Sequence, residues 1–340
     1  MEEVLGPAIH VPKHPILLAK FGMKALKSAE SFSRKFQTEK ARALWAGIAA
    51  HSSAPLTSFA STAPGLILQI AGHSGGWPIP AGGAGSIARA LISFFKSLGG
   101  IVHLDEKICS EGQIPPSKLV FFDLTPRQIL DIGVNFSESV QKKYSSFNYG
   151  PGVFKMDWAL KAPIPWKAKD CAKAATVHLG GTFDEIKNSE EYLESGERSQ
   201  KPYVLLCQPS LFDPARAPTG SHTAWAYCHV PNGYTFDMTE IIENQIERFA
   251  PGFKDVILKR STLGPAALEK LNNNLIGGDI SGGSTRGSLL LFKPALKKGN
   301  PYSIDSDGKY WICSSSTPPG PGVHGMCGYR AAQNALKFSI

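Results

Sequence analysis

The 340-residue chain has six cysteines, at 109, 171, 207, 228, 313 and 327, and no two of them are spaced as Cys-x-x-Cys. No paired framework is visible, so the chain reads as a protein of a reducing compartment, the cytoplasm, rather than a disulfide-stapled secreted fold. Metal-ligand spacing is missing too. His222 and His229 stand seven apart, which suits neither a helical nor a zinc pair, and no metal is expected. The start, MEEVLGPAIH, carries acid where a secretory signal carries base, and no apolar run follows it. Between Arg42 and Arg89 there is no charged residue at all, yet Pro55, Pro64 and Pro78 cut the segment well short of a membrane span. The net charge of +8 is dispersed, and only KPALKK at 293–298 forms a small basic patch. Without a zinc finger, an RNP-like stretch or a basic helix beside it, that charge excludes nucleic acid as the expected partner. It suits instead a peripheral contact with an anionic membrane surface.

What is present is a globular composition, 42% hydrophobic, in a chain long enough for two interleaved domains. The most informative stretch is near the end, YWICSSSTPPGPGVHGMCGYRAAQNAL at 310–336. Tyr310 to Cys313 reads as a buried strand, and Tyr329 to Leu336 has the apolar spacing of a helix. Strand, glycine-rich loop and helix in that order aim unpaired N–H groups and a positive helix end beyond the strand. A pyrophosphate or a flavin edge fits there. Gly320, Gly322, Val323, His324 and Gly325 are therefore candidate cofactor contacts, while Pro318, Pro319 and Pro321 stiffen the approach. A tight connection with no ligand remains the alternative. Cys327, at the helix start, reads as a buried, inert thiol.

Upstream, 14–36 has the pattern of an amphipathic helix or helix pair with Leu17, Phe21, Leu26 and Phe32 near helical spacing, and EKARALWAGIAAHS continues as a more apolar helix. A second glycine turn at Gly82 and Gly83, followed by Ser86, opens a helix with Ile87, Leu91 and Phe94 on one side. GGIVHL after it reads as a strand, as does KLVFF at 118–122, which runs into a helix with Thr125 as N-cap and Pro126 at its first position. The strands near 101, 119 and 310 bracket an insertion, from Tyr149 to Leu263, whose FKMDWAL, ATVHLGG, YVLLCQPS and HTAWAYCHVP predict an antiparallel or mixed sheet. A helix over Asp237 to Phe249 follows, with Asp237 and Glu240 in capping-box positions. Trp158, Phe183, Trp225 and Tyr227 are candidates for the floor of an apolar pocket, with core packing as the alternative. A substrate on this sheet would meet Trp158, His178, Tyr227 and His229, at the kind of domain interface where pockets form.

Three segments carry a family resemblance: PAGGAGSIARALISFFKSLGGIV, GGDISGG at 277–283, and YWICSSSTPPGPGVHGMCGYRAA. They resemble the second glycine segment, the late loop and the carboxyl-terminal flavin segment of the phytoene-desaturase-like NAD(P)/FAD-dependent oxidoreductases. YGPGVFKMDWAL, TVHLGGTFDEI and RFAPGF are similar to that family's substrate-domain signatures, and the match runs from about Leu5 to Leu336. The resemblance implies an α/β fold: an incomplete FAD/NAD(P)-binding, glutathione-reductase-like domain with an inserted mixed-sheet plus helix substrate domain. Its parts would be 1–71, helical; 72–148, cofactor-binding; 149–263, substrate domain; and 264–340, cofactor-binding. FAD is the implied cofactor, with Gly82, Gly83 and Ser86 on one loop and Gly320 to Gly325 on another. An apolar, isoprenoid-like molecule is the implied hydride donor. Such flavoproteins begin with a strand, a Gly-x-Gly-x-x-Gly turn and a helix, trailed by an acidic residue, and this sequence shows no such unit. Two readings result, an FAD-dependent oxidoreductase and a truncated, catalytically silent fragment or binding subunit. No general base stands out, and Asp157, Asp213 and His229 are the candidates. If a central strand is missing, Val120, Phe122, Trp311 and Cys313 should be less buried than their apolar character warrants.

Overall fold

A computed structural model describes residues 12–286 and 300–338. The acidic start, Leu5 and the basic patch at 293–298 lie outside the described residues. Four helices come first: α1 (Pro15–Ala25), α2 (Ala29–Ser33), α3 (Glu39–Ala49) and α4 (Thr62–Gly75). Then follow α5 (Gly85–Ser97), β1 (Val120–Phe122), α6 (Pro126–Asp131) and α7 (Glu138–Ser145). The inserted segment contains β2 (Gly152–Leu160), β3 (Thr176–Leu179), α8 (Phe183–Ser195), β4 (Val204–Cys207), β5 (His222–Val230), α9 (Thr239–Phe249) and β6 (Ile257–Leu263). The chain closes with α10 (Pro265–Leu271), β7 (Tyr310–Ile312) and α11 (Met326–Phe338).

Two sheets organise these elements. The larger has the order β3-β4-β5-β2-β6 and is antiparallel at every pairing, the first of the two arrangements the strand patterns predict, which corrects the mixed sheet that the resemblance implies. The reason lies in the alternation along β2 and β5: one face is buried and the other half-open, whereas parallel strands are covered on both faces. Phe154, Met156, Trp158, Leu160, Ala224, Ala226 and Cys228 share the closed face and pack against Ile242 and Ile246 of α9. Trp158 Nε1 donates to Glu243 at 3.0 Å, and Arg260 Nε closes the group at 2.7 Å from the same carboxylate. Asp237 does not act as the expected capping-box residue. Its carboxylate accepts from Thr239 N–H at 2.8 Å, one step before the helix, and Met238 holds the N-cap position.

The smaller sheet pairs β1 with β7 in parallel, Phe121 opposite Trp311. Here the expected loss of burial is corrected for Phe122 and Trp311. Phe122 is 6% exposed and Trp311 fully buried, while Val120 and Cys313 are half-buried. The far edge of β7 is taken by the chain itself, since Ile312 N–H donates to Tyr302 O and Ile304 N–H to Tyr310 O. Helix α11 then covers Trp311 with Ala331 and Ala335. The third cluster lies among α2, α3 and α8, where Trp45 Nε1 donates to Ala29 O at 2.9 Å and Phe183 is buried away from the sheet.

Residues 101–104 correct another expectation, because they form no strand. Ile101 and Leu104 are each 76% exposed, and β propensity without a paired edge does not hold a strand. The helix before them forms as its periodicity predicts, yet α5 buries none of its residues, and Leu91 and Phe94 stand about two-thirds exposed. Among the described residues no helix is long and apolar enough to cross a membrane.

This distribution sets two opposite outcomes. Ile246→Ala, on the buried face of α9, should cost about 2–5 kcal/mol of unfolding free energy. The pair Leu91→Ser and Phe94→Ser should change it by about 0.5 kcal/mol or less while reducing aggregation. Urea denaturation with light scattering measures both.

Candidate functional site

The strand, glycine-rich loop and helix expected near the end of the chain are all present, and they border an open pocket of about 350 Å³. Asp123, at the end of β1, and Cys313, at the end of β7, form its floor, and Gly320, Gly322, His324 and Gly325 its wall. The wall is built from turns: Gly320 N–H donates to Thr317 O and His324 N–H to Gly322 O. Gly322 has φ +147°, and a Cβ there would stand 2.8 Å from the His324 ring. His324 Nδ1 accepts from Met326 N–H at 3.0 Å and so caps α11 with its imidazole. Burial lowers the pKa of that imidazole, in keeping with a ring that must stay neutral to accept. Burial also raises the Asp123 carboxyl, and pushes the Cys313 thiol up to about 12 with help from the Asp123 charge. Asp123 is the single formally charged residue of this lining, and no Lys or Arg joins it, which suits a ring system more than a bare anion. Val323 points outward and is 91% exposed.

The other glycine turn sits elsewhere. Gly82 N–H donates to Asp213 Oδ2 at 2.8 Å, and Arg216 Nη1 donates to Gly82 O at 3.1 Å. Ser86 Oγ closes the turn on Ala81 O. Gly82, Gly83 and Ser86 therefore fasten α5 to the segment between β4 and β5, and their hydrogen bonds do not reach residues 320–325.

The half-open face of the larger sheet is the second polar centre. Register pairs His178 with Leu205, Leu205 with Tyr227, and Tyr227 with Lys155, so these four share it. Trp158 lies on the closed face, and this removes it from the expected substrate group. Along β5 the rings of Trp225, Tyr227 and His229 follow one another at 6.4 and 5.7 Å between centroids. His229 ends the row in a buried cluster. Its Nδ1 is 2.8 Å from Glu190 Oε2 on α8, and its Nε2 is 3.5 Å from Ser53 Oγ. Paired with a carboxylate, Nδ1 carries the hydrogen and leaves Nε2 to accept from the hydroxyl. Ser53 stands in the left-handed region, φ +50°, after the short turn Ala50–Ser52. Beside it, His51 and His178 meet through their Nε2 atoms at 2.9 Å. Burial lowers both, His51 to about 3 with the nearby His178 and His229 adding to the effect, and His178 to about 4. The remaining two base candidates are occupied structurally: Asp157 pairs with Lys155, and Asp213 receives Gly82 and Ala215 N–H.

One loop joins the two centres. Asp279, fully buried, accepts from Gly150, Ser281 and Gly283 N–H and holds residues 279–283 in a tight fold. From that loop Gly282 O accepts from Ser316 Oγ at 2.7 Å, on the side of the glycine wall, and Thr285 Oγ1 donates to Ser52 O at 2.5 Å, on the side of the histidines. Sequence reasoning missed Ser53, His51 and Glu190. Glu190 alone left a signal, a carboxylate seven residues after Phe183 and four after Ile186 on the apolar stripe of α8.

The two depressed histidines set a pH dependence. Each has a folded-state pKa below its ordinary value of 6.5, so their contribution to stability is complete above that pH and is lost as pH falls toward about 4 and then about 3. Thermal melts should show Tm falling steadily below about pH 6.5, with a shallower fall in His178→Gln.

No protein-family model matches the chain. Residues of this chain align with the pyridine nucleotide-disulfide oxidoreductase domain-containing protein 2 of Rattus norvegicus, 26% identical over 309 residues and covering 78% of this chain and 52% of the rat protein. The Mus musculus protein of that name is 25% identical with the same coverage. The chain thus spans about half the length of the curated relatives it matches. Among solved structures, an oxidoreductase from Methanosarcina mazei superposes with a TM-score of 0.60 at 12% identity, covering 95% of this chain and 71% of its own. A putrescine oxidase with redesigned cofactor binding gives 0.53 at 10%, covering 98% and 77%. At these identities the structural likeness establishes the fold, a mixed α/β architecture shared with oxidoreductases.

Proposed function

We propose that this chain is part of an FAD-dependent oxidoreductase, of the phytoene-desaturase-like kind, that removes hydride from an apolar, isoprenoid-like substrate. The observation that carries this reading is the charge-poor cavity at the ends of β1 and β7, walled by the Gly320–Gly325 turn and the start of α11. Those residues fit the flavin end of the cofactor: Gly322 and Gly320 let the backbone approach, and Met326, Cys327 and Gly328 at the start of α11 line the same space. FAD bound there would supply the hydride acceptor. The chain's own side chains serve the substrate. Trp225 and Tyr227, half-buried on the open side of the sheet, offer an apolar surface, and His229, oriented by Glu190 and backed by Ser53, can hold or release a proton at Nε2. A reducing compartment such as the cytoplasm suits the free thiols.

The bare apolar face of α5 favours a second reading, in which the chain is a catalytically silent or binding subunit. Flavin titration of the purified chain, followed by absorbance and fluorescence quenching, separates the two. The first reading expects saturable FAD binding that Gly322→Val weakens by about tenfold or more, since a β-branched side chain at this φ meets His324. Absent binding supports the second reading, and unchanged binding in Gly322→Val removes this loop from the cofactor site.

A further inference from the structure

Helix α1 keeps little of itself inside. Ala25 is its one buried residue, and Leu18, Phe21 and Gly22 are half-buried. At about 100° per residue these four fall on one arc, and the opposite arc carries Ile16 and Met23 beside Lys20 and Lys24, with Leu26 and Lys27 exposed in the turn that ends the helix. Ile16 is 74%, Met23 66% and Leu26 41% exposed. Lys20, Met23, Lys24, Leu26, Lys27 and Lys35 line one open, shallow depression. The helix contains no acidic residue, and no carboxylate pairs with Lys20, Lys24 or Lys27 among the described residues.

This surface differs from that of α5. The apolar face of α5 has nothing beside it to say what covers it, whereas α1 joins an apolar stripe to a row of lysines with no counter-charge among the described residues. The chemistry that satisfies both at once is an anionic bilayer surface: methyl groups enter the acyl boundary, and ammonium groups reach the lipid phosphates.

We propose that α1 docks this protein on anionic membranes, with Ile16, Met23 and Leu26 inserted at the interface and Lys20, Lys24 and Lys27 against the headgroups. Docking there would deliver an apolar substrate from the lipid phase, and that consequence alone rests on the function proposed above.

The test is flotation of the full chain with vesicles of phosphatidylcholine, with or without about a third phosphatidylglycerol, at low and raised salt. The chain should float with the anionic vesicles and be released by salt. Lys20→Gln, Lys24→Gln and Lys27→Gln together should lower the partition coefficient about a hundredfold, near fivefold per lysine. Met23→Ser with Leu26→Ser should weaken it while keeping the salt dependence. Unchanged melts of both exposed-residue variants would show that folding is intact. Equal binding to neutral vesicles, no binding, or full binding by the triple variant would overturn the proposal. So would competition by inorganic phosphate, which means a soluble-anion site, or self-association abolished by the same variants, which means a protein interface. FAD titration of the same samples separates failure of the docking from failure of the oxidoreductase reading.

Discussion

The pairing of β2 with β5 along all nine residues of each is the constraint from which the rest of the molecule follows. A strand presents successive side chains to opposite faces, so one register decides at once which residues enter the core and which face the cleft. Covering one face with α9 consigns Trp158, Met156 and Ala226 to packing. The same step leaves Tyr227, His229 and Lys155 on the other face. A slip of one residue would exchange the two sets, removing the apolar core and burying Lys155 together.

On the side away from α9, helices α3 and α8 close over one end of the sheet only, and the contents of that end are unusual for a core. The imidazoles of His178 and His229 lie against the buried Tyr203, whose hydroxyl donates to Gly47 O, and His51, Glu190 and Ser53 join the cluster through those two rings. Glu190 is fully buried, and its Oε1 has no partner among the described residues. A packed apolar end would be simpler to stabilise, because each buried polar group must recover its lost hydration through a partner. The cluster therefore costs stability that a purely structural end would not, which is the pattern expected of groups kept for proton handling.

The smaller sheet solves a different problem. Two short parallel strands cannot form a stable unit alone. They are held because residues 302–304 occupy one edge of β7, α11 seals one face, and α6 and α7 bring Ile129, Val134 and Val140 to the other. The cavity at their carboxyl ends is a consequence of this cover: the segment from Ile312 to Met326 is a run of turns, and Gly320, Gly322 and Gly325 at positive φ carry it without filling the space.

Local features were legible in the sequence because their causes are local. The strand, glycine turn and helix at 310–338, the β2 to β5 strand patterns and the amphipathic character of α1 and α5 are written in periodicity and in glycine placement. Strand β6 escaped, since ILKRSTL is an edge strand with charged outward positions and no alternation to betray it. GGIVHL misled in the opposite sense, having strand composition but no partner. No sequence feature told which parity of β2 and β5 would meet α9, so Trp158 and His229 were grouped until register separated them. Ser53, Glu190 and His229 lie 137 and 39 residues apart along the chain, and only tertiary packing brings them together. Periodicity describes how a segment can bury one side of itself; what it buries that side against is decided by the rest of the chain.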